Sequence, residues 1–366
     1  MKRLFALSLA VCLLLCACGA DPEPETMPIT MPTEATTEPT TEATTEATTE
    51  ATTEPTEPAV VYRHPLNGTV LDKPFEGRAT AVVINNLIDC LPQHGIASAD
   101  MIFELETEGG ITRLLAVYSD VENIGSIGPV RSARSFFNSI ALAYDAPIIH
   151  CGGSRWGING YLDENNTIDN WAHINEQYNG SYFFRDSSRT SSYSWEHTLF
   201  TNSELLLKGL KAKEYNTAEA LDFGMQFAED AAPEGETANT VTVNFRFGKT
   251  TTMTYNPDNG LYAASQYSRN HVDGNTGEVV SYANVLCLYT DQWQQFDGTY
   301  SRSFYTLVGE GSGHFACGGK IIPIKWSRPE ARGPFQFMTE DGQPLTLQVG
   351  TTYVGICSNK MTVSYE

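Results

Sequence analysis

Apolar positions follow three different rhythms along this chain. Leu4 to Leu15 is a short, nearly unbroken apolar run directly after Lys2 and Arg3. Residues 21–58 are almost entirely Thr, Glu, Pro and Ala, with Thr-Glu-Ala-Thr-Thr-Glu units from Thr41 onward. After residue 59 the apolar positions return in patterns that predict folded elements. Ala79 to Ile84 reads as a buried strand. Met101 to Glu106 and Ile111 to Tyr118 read as two strands joined at Glu108-Gly109-Gly110, a hairpin signal. Over Ser132 to Tyr144 the apolar residues Phe136, Phe137, Ile140, Ala141 and Tyr144 fall on one helical face. Pro147 to His150 reads as a short strand and Asn202 to Ala212 as a further helix.

Beyond residue 239 the period becomes two. Thr240 to Phe247, Thr252 to Tyr255, Gly260 to Tyr267, Asn284 to Tyr289, Ser303 to Val308, Lys320 to Trp326 and Thr352 to Ile356 all read as strands, with Gly and Asp/Asn between them. The prediction is an α+β protein. A mixed N-terminal α/β module (61–215) and a mainly β C-terminal module (239–366) are joined by a Gly/Pro-containing linker (216–238), as two lobes able to share one sheet.

The first apolar run changes the picture of where this body works. Basic residues, an apolar core and small residues ahead of a cysteine are the parts of a secretory signal. The run is shorter than the ~20 residues that span a bilayer, which argues against a retained anchor helix. Leu15-Cys16-Ala17-Cys18 resembles a bacterial lipobox. That resemblance implies a signal peptide over 1–17, cleavage before Cys18, and lipidation of its thiol, so that acyl chains hold the protein to the outer face of the bacterial cell membrane. A plain secreted signal is the other reading. Residues 18–60 then form the lipidated cysteine and a stalk too poor in apolar surface to order itself. At ~3.1 Å per residue such a stalk reaches on the order of 120 Å.

The formal charge of −21 is unevenly placed. The stalk carries many acidic and no basic residues, which leaves about −13 on the folded part. An acidic body argues against nucleic acid as a partner. Five cysteines fall in the folded part: Cys90, Cys151, Cys287, Cys317 and Cys357. They have no C-x-x-C or zinc-finger spacing, so no metal is expected, and they read equally as buried thiols or as disulfide partners. No cofactor motif is present.

Candidate chemistry concentrates in the first module. Ile127-Gly128-Pro129-Val130-Arg131-Ser132-Ala133-Arg134 puts two arginines at the start of a predicted helix. A helix N-terminus carries about +0.5 charge and favours anions, so two cations there call for a compensating anion. One source is an internal carboxylate: Asp100, Glu104, Glu106 or Glu108. The other is a bound anion held by arginine forks and free N–H groups. His150-Cys151-Gly152-Gly153-Ser154 follows a strand. It reads either as a tight turn with a capping Ser154 and a hydrogen-bonded His150, or as a site at a strand's carboxyl end. It is not a G-x-S-x-G elbow, because Trp156 stands where the last glycine would be. Glu108 and Arg113 read either as a surface pair at a hairpin turn or as members of one pocket with Arg131 and Arg134. The candidate ligand-binding set is therefore Glu108, Arg113, Arg131, Arg134, His150 and Ser154.

At these residues the chain resembles a known family. Ala81-Val-Val-Ile-Asn-Asn86, Glu108-Gly-Gly-Ile-Thr-Arg113, Gly128-Pro-Val-Arg-Ser-Ala-Arg134 and His150-Cys-Gly-Gly-Ser154 are similar to the N-terminal half of the DUF3048, or YerB-like, bacterial lipoproteins. Tyr267-Ser-Arg269, Asn284-Val285, Gly309-Glu-Gly-Ser-Gly313, Gly319-Lys320, Trp326 and Gly350-Thr351 are similar to its C-terminal half. The resemblance implies a two-part α+β lipoprotein at the cell envelope and brings no activity with it. The expected function is binding of an anionic envelope ligand or an envelope protein through an arginine-lined cleft. The alternative is an enzyme, a phosphoryl or glycan-phosphate transferase or hydrolase, acting on an anionic cell-wall substrate. That alternative rests on a short stretch similar to the LytR-CpsA-Psr phosphotransferases, over which no residue roles carry.

Overall fold

A computed structural model describes residues 61–158, 172–215 and 223–366. The lipobox, the stalk and part of the predicted linker lie outside these residues. The centre of the body is an eleven-stranded sheet to which both halves of the chain contribute. The N-terminal half supplies β1 (Thr80–Asn85), β2 (Met101–Glu106), β3 (Thr112–Tyr118), β4 (Ile148–His150) and β5 (His173–Asn175). Helix α1 (Ser135–Ala143) precedes β4. The C-terminal half supplies four further long strands. It also builds a six-stranded antiparallel sheet around β6 (Thr240–Asn244), β7 (Thr250–Asn256) and β8 (Leu261–Gln266).

In the large sheet, β9 (Asn284–Thr290) is followed by a hairpin, β10 (Gln292–Phe296) with β11 (Ser301–Tyr305), that stands apart from it. Next come β12 (Gly309–Cys317), β13 (Lys320–Arg328) and β14 (Thr352–Ser358). The spatial order is β13, β12, β9, β14, β2, β3, β1, β4, β5, with Glu236–Thr237 at one edge and Gln336–Thr339 also on β13. The halves join where β14 runs parallel to β2, with Thr352 opposite Met101 and Gly355 opposite Glu104. A single sheet thus carries the α+β first half into the mainly β second half. Residues 226–228 and 236–237, within the stretch read as a linker, are themselves short strands paired to the C-terminal half.

Both faces of this sheet are covered, which is why its strands read as continuous apolar runs. Val82, Ile84, Ile102, Leu114 and Ala116 face Val241, Val243, Met253 and Tyr262 of the six-stranded sheet. The alternate residues Ala81, Val83, Phe103, Leu115 and Val117 face Phe136, Phe137 and Ile140 of α1. Arg328, fully buried at the end of β13, ties that strand to α1. Its guanidinium donates to the Ser139 hydroxyl (2.8 Å) and carbonyl (2.6 Å), and to the carbonyls of Leu307, Ala331 and Gly333. The five folded-region cysteines are free thiols, four of them buried.

One element differs from its sequence pattern. The helix expected from Ser132 begins at Ser135, with Arg134 as its extended N-cap residue. Residues 130–133 are held extended because their backbone is already spoken for. Val130 N–H donates to Leu199 O, Arg131 N–H to Val83 O and Ala133 N–H to Gly152 O.

Candidate functional site

The segment from Val130 to Arg134 crosses the carboxyl ends of β1 and β4, two neighbouring parallel strands, just before α1 leads into β4. This is the position at which open α/β sheets place ligands. Strand β3 runs antiparallel to β1 and pairs Arg113 with Asn85, so Arg113 enters the same end of the sheet.

Here the structure brings four of the candidate residues together. Arg134 grips Glu108 in a fork: Nε donates to Oε1 (2.8 Å) and Oε2 (3.0 Å), and Nη2 to Oε2 (2.6 Å). Burial alone would raise the Glu108 carboxyl. The bonds from Arg134 and the charges of Arg134 and Arg113 outweigh it and hold the group below its ordinary range. Of the four acids considered as internal counterions, Glu108 is therefore the one that meets a helix-start arginine. Glu106 instead pairs with Arg246, Asp100 accepts from Asn67 and from the Ser119 N–H, and Glu104 meets Lys249.

Arg113 is the exceptional member. Its residue is 4% exposed, its Nη1 donates to Ser132 O (2.7 Å), and its Nε has no acceptor among the described residues. Burial, then the charges of Arg134 and Arg131, pull its pKa well below the usual arginine value, against the opposing pull of Glu108 and Glu196. Arg131 donates to Glu196 Oε2 (2.7 Å), and its Nε also lacks an acceptor among the described residues. Among the described residues, three guanidinium groups here thus meet two carboxylates, Glu108 and Glu196, an excess of one positive charge. Arg302, from the β10–β11 hairpin, approaches Glu108 at 3.8 Å and is itself bonded to Asp297.

His150 and Ser154 lie on the adjoining segment and engage other groups. His150 Nδ1 lies 2.8 Å from Gly152 O, and its Nε2 lies 3.1 Å from His173 Nδ1, the two rings being stacked. Burial lowers its pKa to about 4, so it is neutral at physiological pH. The Ser154 hydroxyl accepts from Gly157 N–H (3.1 Å) at the start of the helical turn Arg155–Ile158. Cys151 donates to Glu176, and burial with that carboxylate raises its thiol to about 11, a weakly nucleophilic setting. Among the described residues no group of three or more His, Cys, Asp or Glu could hold a metal ion.

Three contributors carry no local sequence signal: Glu196, Arg302 and Phe247. Phe247 sits at the tip of the β6–β7 hairpin, and its ring lies against Gly110, where any Cβ would collide with it. Gly109 and Gly110 both have positive φ (72° and 75°), so the Glu108 turn needs its glycines for conformation as well as for this contact.

Residues 66–216 match the family described as "Protein of unknown function (DUF3048) N-terminal domain", and residues 241–354 match its C-terminal domain. The chain is 28% identical over 301 residues to "Putative lipoprotein YerB" of Bacillus subtilis (strain 168), covering 80% of this chain and 85% of that protein. The crystal structure of YerB protein from Bacillus subtilis superposes with a TM-score of 0.68 at 24% identity, over 82% of this chain and 99% of that one, a likeness of fold. Both domains of one family, matched in chain order and each supplying strands to the shared sheet, make this chain a member of the DUF3048 family.

Proposed function

We propose that this chain is a lipid-anchored protein of the bacterial cell envelope that binds an anionic ligand at the arginine-lined end of the central sheet. The observation that carries the reading is Arg113. It is a buried guanidinium with one backbone acceptor and an Nε that has no partner among the described residues, set beside Arg131 and Arg134. An uncompensated buried charge costs several kcal/mol. A phosphate or carboxylate accepting from Arg113 and Arg131 would offset it, because the nearby carboxylates are already engaged by Arg134 and Arg131. Anchoring rests on the lipobox at Cys18 and agrees with the word lipoprotein in the name of the Bacillus relative.

The test is a melting-temperature titration of the chain with phosphate, pyrophosphate and cell-wall fragments, since a ligand that binds only the folded state raises the midpoint by mass action. Arg131→Ala is the diagnostic variant, because Arg131 keeps an Nε with no acceptor among the described residues, whereas Arg134 holds Glu108 through both Nε and Nη2. A rise in the parent that disappears in Arg131→Ala supports the reading. No rise with any anion sinks it. Anchoring is checked separately: Cys18→Ala should move the protein from the membrane fraction to the soluble fraction of cells.

A further inference from the structure

The described surface displays several large aromatic rings, and three of them are tied to the arginine cluster. Phe247 is 80% exposed, Trp195 65% and Tyr300 60%. Each is supported on one side and open on another. The Phe247 ring rests on Gly110, two residues beyond Glu108. The Arg185 guanidinium covers Trp195 at 4.3 Å from the ring centroid, and Arg302 covers Tyr300 at 4.8 Å. Trp195 immediately precedes Glu196, the partner of Arg131, while Arg302 lies 3.8 Å from Glu108. Trp195 is thus one residue from a charged member of the cluster, Tyr300 reaches Glu108 through Arg302, and Phe247 touches the glycine turn that carries Glu108.

Packing does not account for these rings. Burying an aromatic side chain stabilises a fold by about 1.5–3 kcal/mol, and that gain is largely forgone here. Phe247 is also held at φ 58°, a left-handed conformation that is unfavourable for a bulky residue. Rings fixed on one side and presented to water are pre-organised stacking surfaces.

We propose that the ligand of the arginine cluster carries a sugar ring, and that Phe247, Trp195 and Tyr300 stack against the carbohydrate part of a glycan bearing a single anionic group. This rests on the anion-binding reading above and names its substrate class. The aromatic face is the negative end of the ring quadrupole and attracts the polarised C–H groups on a sugar face. The excess of one positive charge suits one phosphate or carboxylate. Glu108, Glu196 and Asp297 among the arginines would repel a polyanion such as nucleic acid, yet can accept bonds from sugar hydroxyls.

The experiment is calorimetric titration of the full chain in detergent with N-acetylglucosamine 1-phosphate, inorganic phosphate and neutral N-acetylglucosamine. The expected result is a sugar phosphate bound at least about tenfold tighter than inorganic phosphate, a difference of ~1.4 kcal/mol. Trp195→Ala and Phe247→Ala, checked for an unchanged fold by circular dichroism, should bring the ratio of the two Kd values towards one, and Trp195→Phe should restore most of it. Equal Kd values in the parent, or a ratio untouched by both alanine variants, overturn the sugar assignment while leaving the anion reading standing. Neutral sugar bound as tightly as its phosphate, and still bound by Arg131→Ala, would disconnect the rings from the cluster and also overturn it. If neither phosphate compound binds, the anion reading fails and the sugar assignment falls with it.

Discussion

Lys249 Nζ lies 3.3 Å from Glu104 Oε1, with both side chains sealed from solvent, and the two residues come from opposite halves of the chain. Glu104 also accepts from Asn86 (2.9 Å), Thr112 (2.6 Å), Thr251 (2.8 Å) and Tyr353 (2.9 Å). Burial would raise its pKa, but the Lys249 charge and these bonds outweigh it and keep the carboxyl below its ordinary range. Burial lowers the Lys249 ammonium in turn, against the charge and hydrogen bond of Glu104, and the contact bolts the six-stranded sheet to the large one. Removing one partner leaves the other charge buried, so Lys249→Met or Glu104→Gln should each destabilise by roughly 3–5 kcal/mol. Urea denaturation of both singles and the double variant checks this, with the double costing clearly less than the sum.

His271 should make the fold acid-sensitive. It is buried, its Nε2 lies 2.9 Å from Gln93 Oε1, and Gln93 in turn donates to Asn86, a neighbour of Glu104. Burial, with the Lys249 charge and against those of Glu104 and Asp273, lowers its pKa to about 4. The unfolded chain takes up this proton near pH 6.5 and the native one only near 4, so stability is full above 6.5 and falls as pH drops through that window. The loss amounts to about 2–3 kcal/mol at pH 4 from this residue. His271→Gln should flatten the slope of unfolding free energy between pH 6.5 and 4. An unchanged slope would show that His271 is not held neutral.

Glu108 and Arg134 act at a lower pH. The Glu108 pKa is depressed in the folded state, so its contribution is present above about 4.3 and disappears as pH falls through the lower native value. The fork is partly exposed, so Arg134→Met should cost a moderate ~1.5–3 kcal/mol. Thermal melts should separate Glu108→Gln from the parent at pH 7 and bring them together as pH falls below the native value of this carboxyl.

Gly110→Ala tests the contact between the two halves at the cluster itself. An alanine there meets both a positive φ and the Phe247 ring, so it should destabilise by roughly 1–3 kcal/mol and displace the hairpin tip. Pairing it with Phe247→Ala should relieve the steric part and leave the backbone part, which a double-mutant cycle on melting temperature would resolve.

Much of the framework was legible because local pattern controls it. The strands at 79–84, 101–106 and 111–118, the apolar face of α1, and the strand-to-helix turn after His150 are set by periodicity and glycine, and they appear within a residue or so of their patterns. The start of α1 was misplaced because residues 130–133 are pulled into backbone bonds with β1, Leu199 and Gly152, partners remote in sequence. Two arginines near a helix start signalled a needed anion, and four acids were plausible. Only the antiparallel register of β1 with β3 and the turn at Gly109 decided that Glu108 would be the one. Lys249, His271 and Arg328 carried no signal, since the first two fall between strands and the third ends one, and each meets its partner only when the two halves of the chain pack together.

The sequence by itself determined the element types, the α+β division and the presence of an anion-seeking arginine pair, because these depend on side-chain period, turn chemistry and charge close along the chain. The tertiary structure alone decided that the halves share one sheet, that Glu104 and Lys249 face each other in its interior, and that Arg113, Arg131 and Arg134 converge. Those outcomes depend on the parallel joining of β14 to β2 across about 250 residues, and on low-dielectric contacts that exist only once both faces of that sheet are covered.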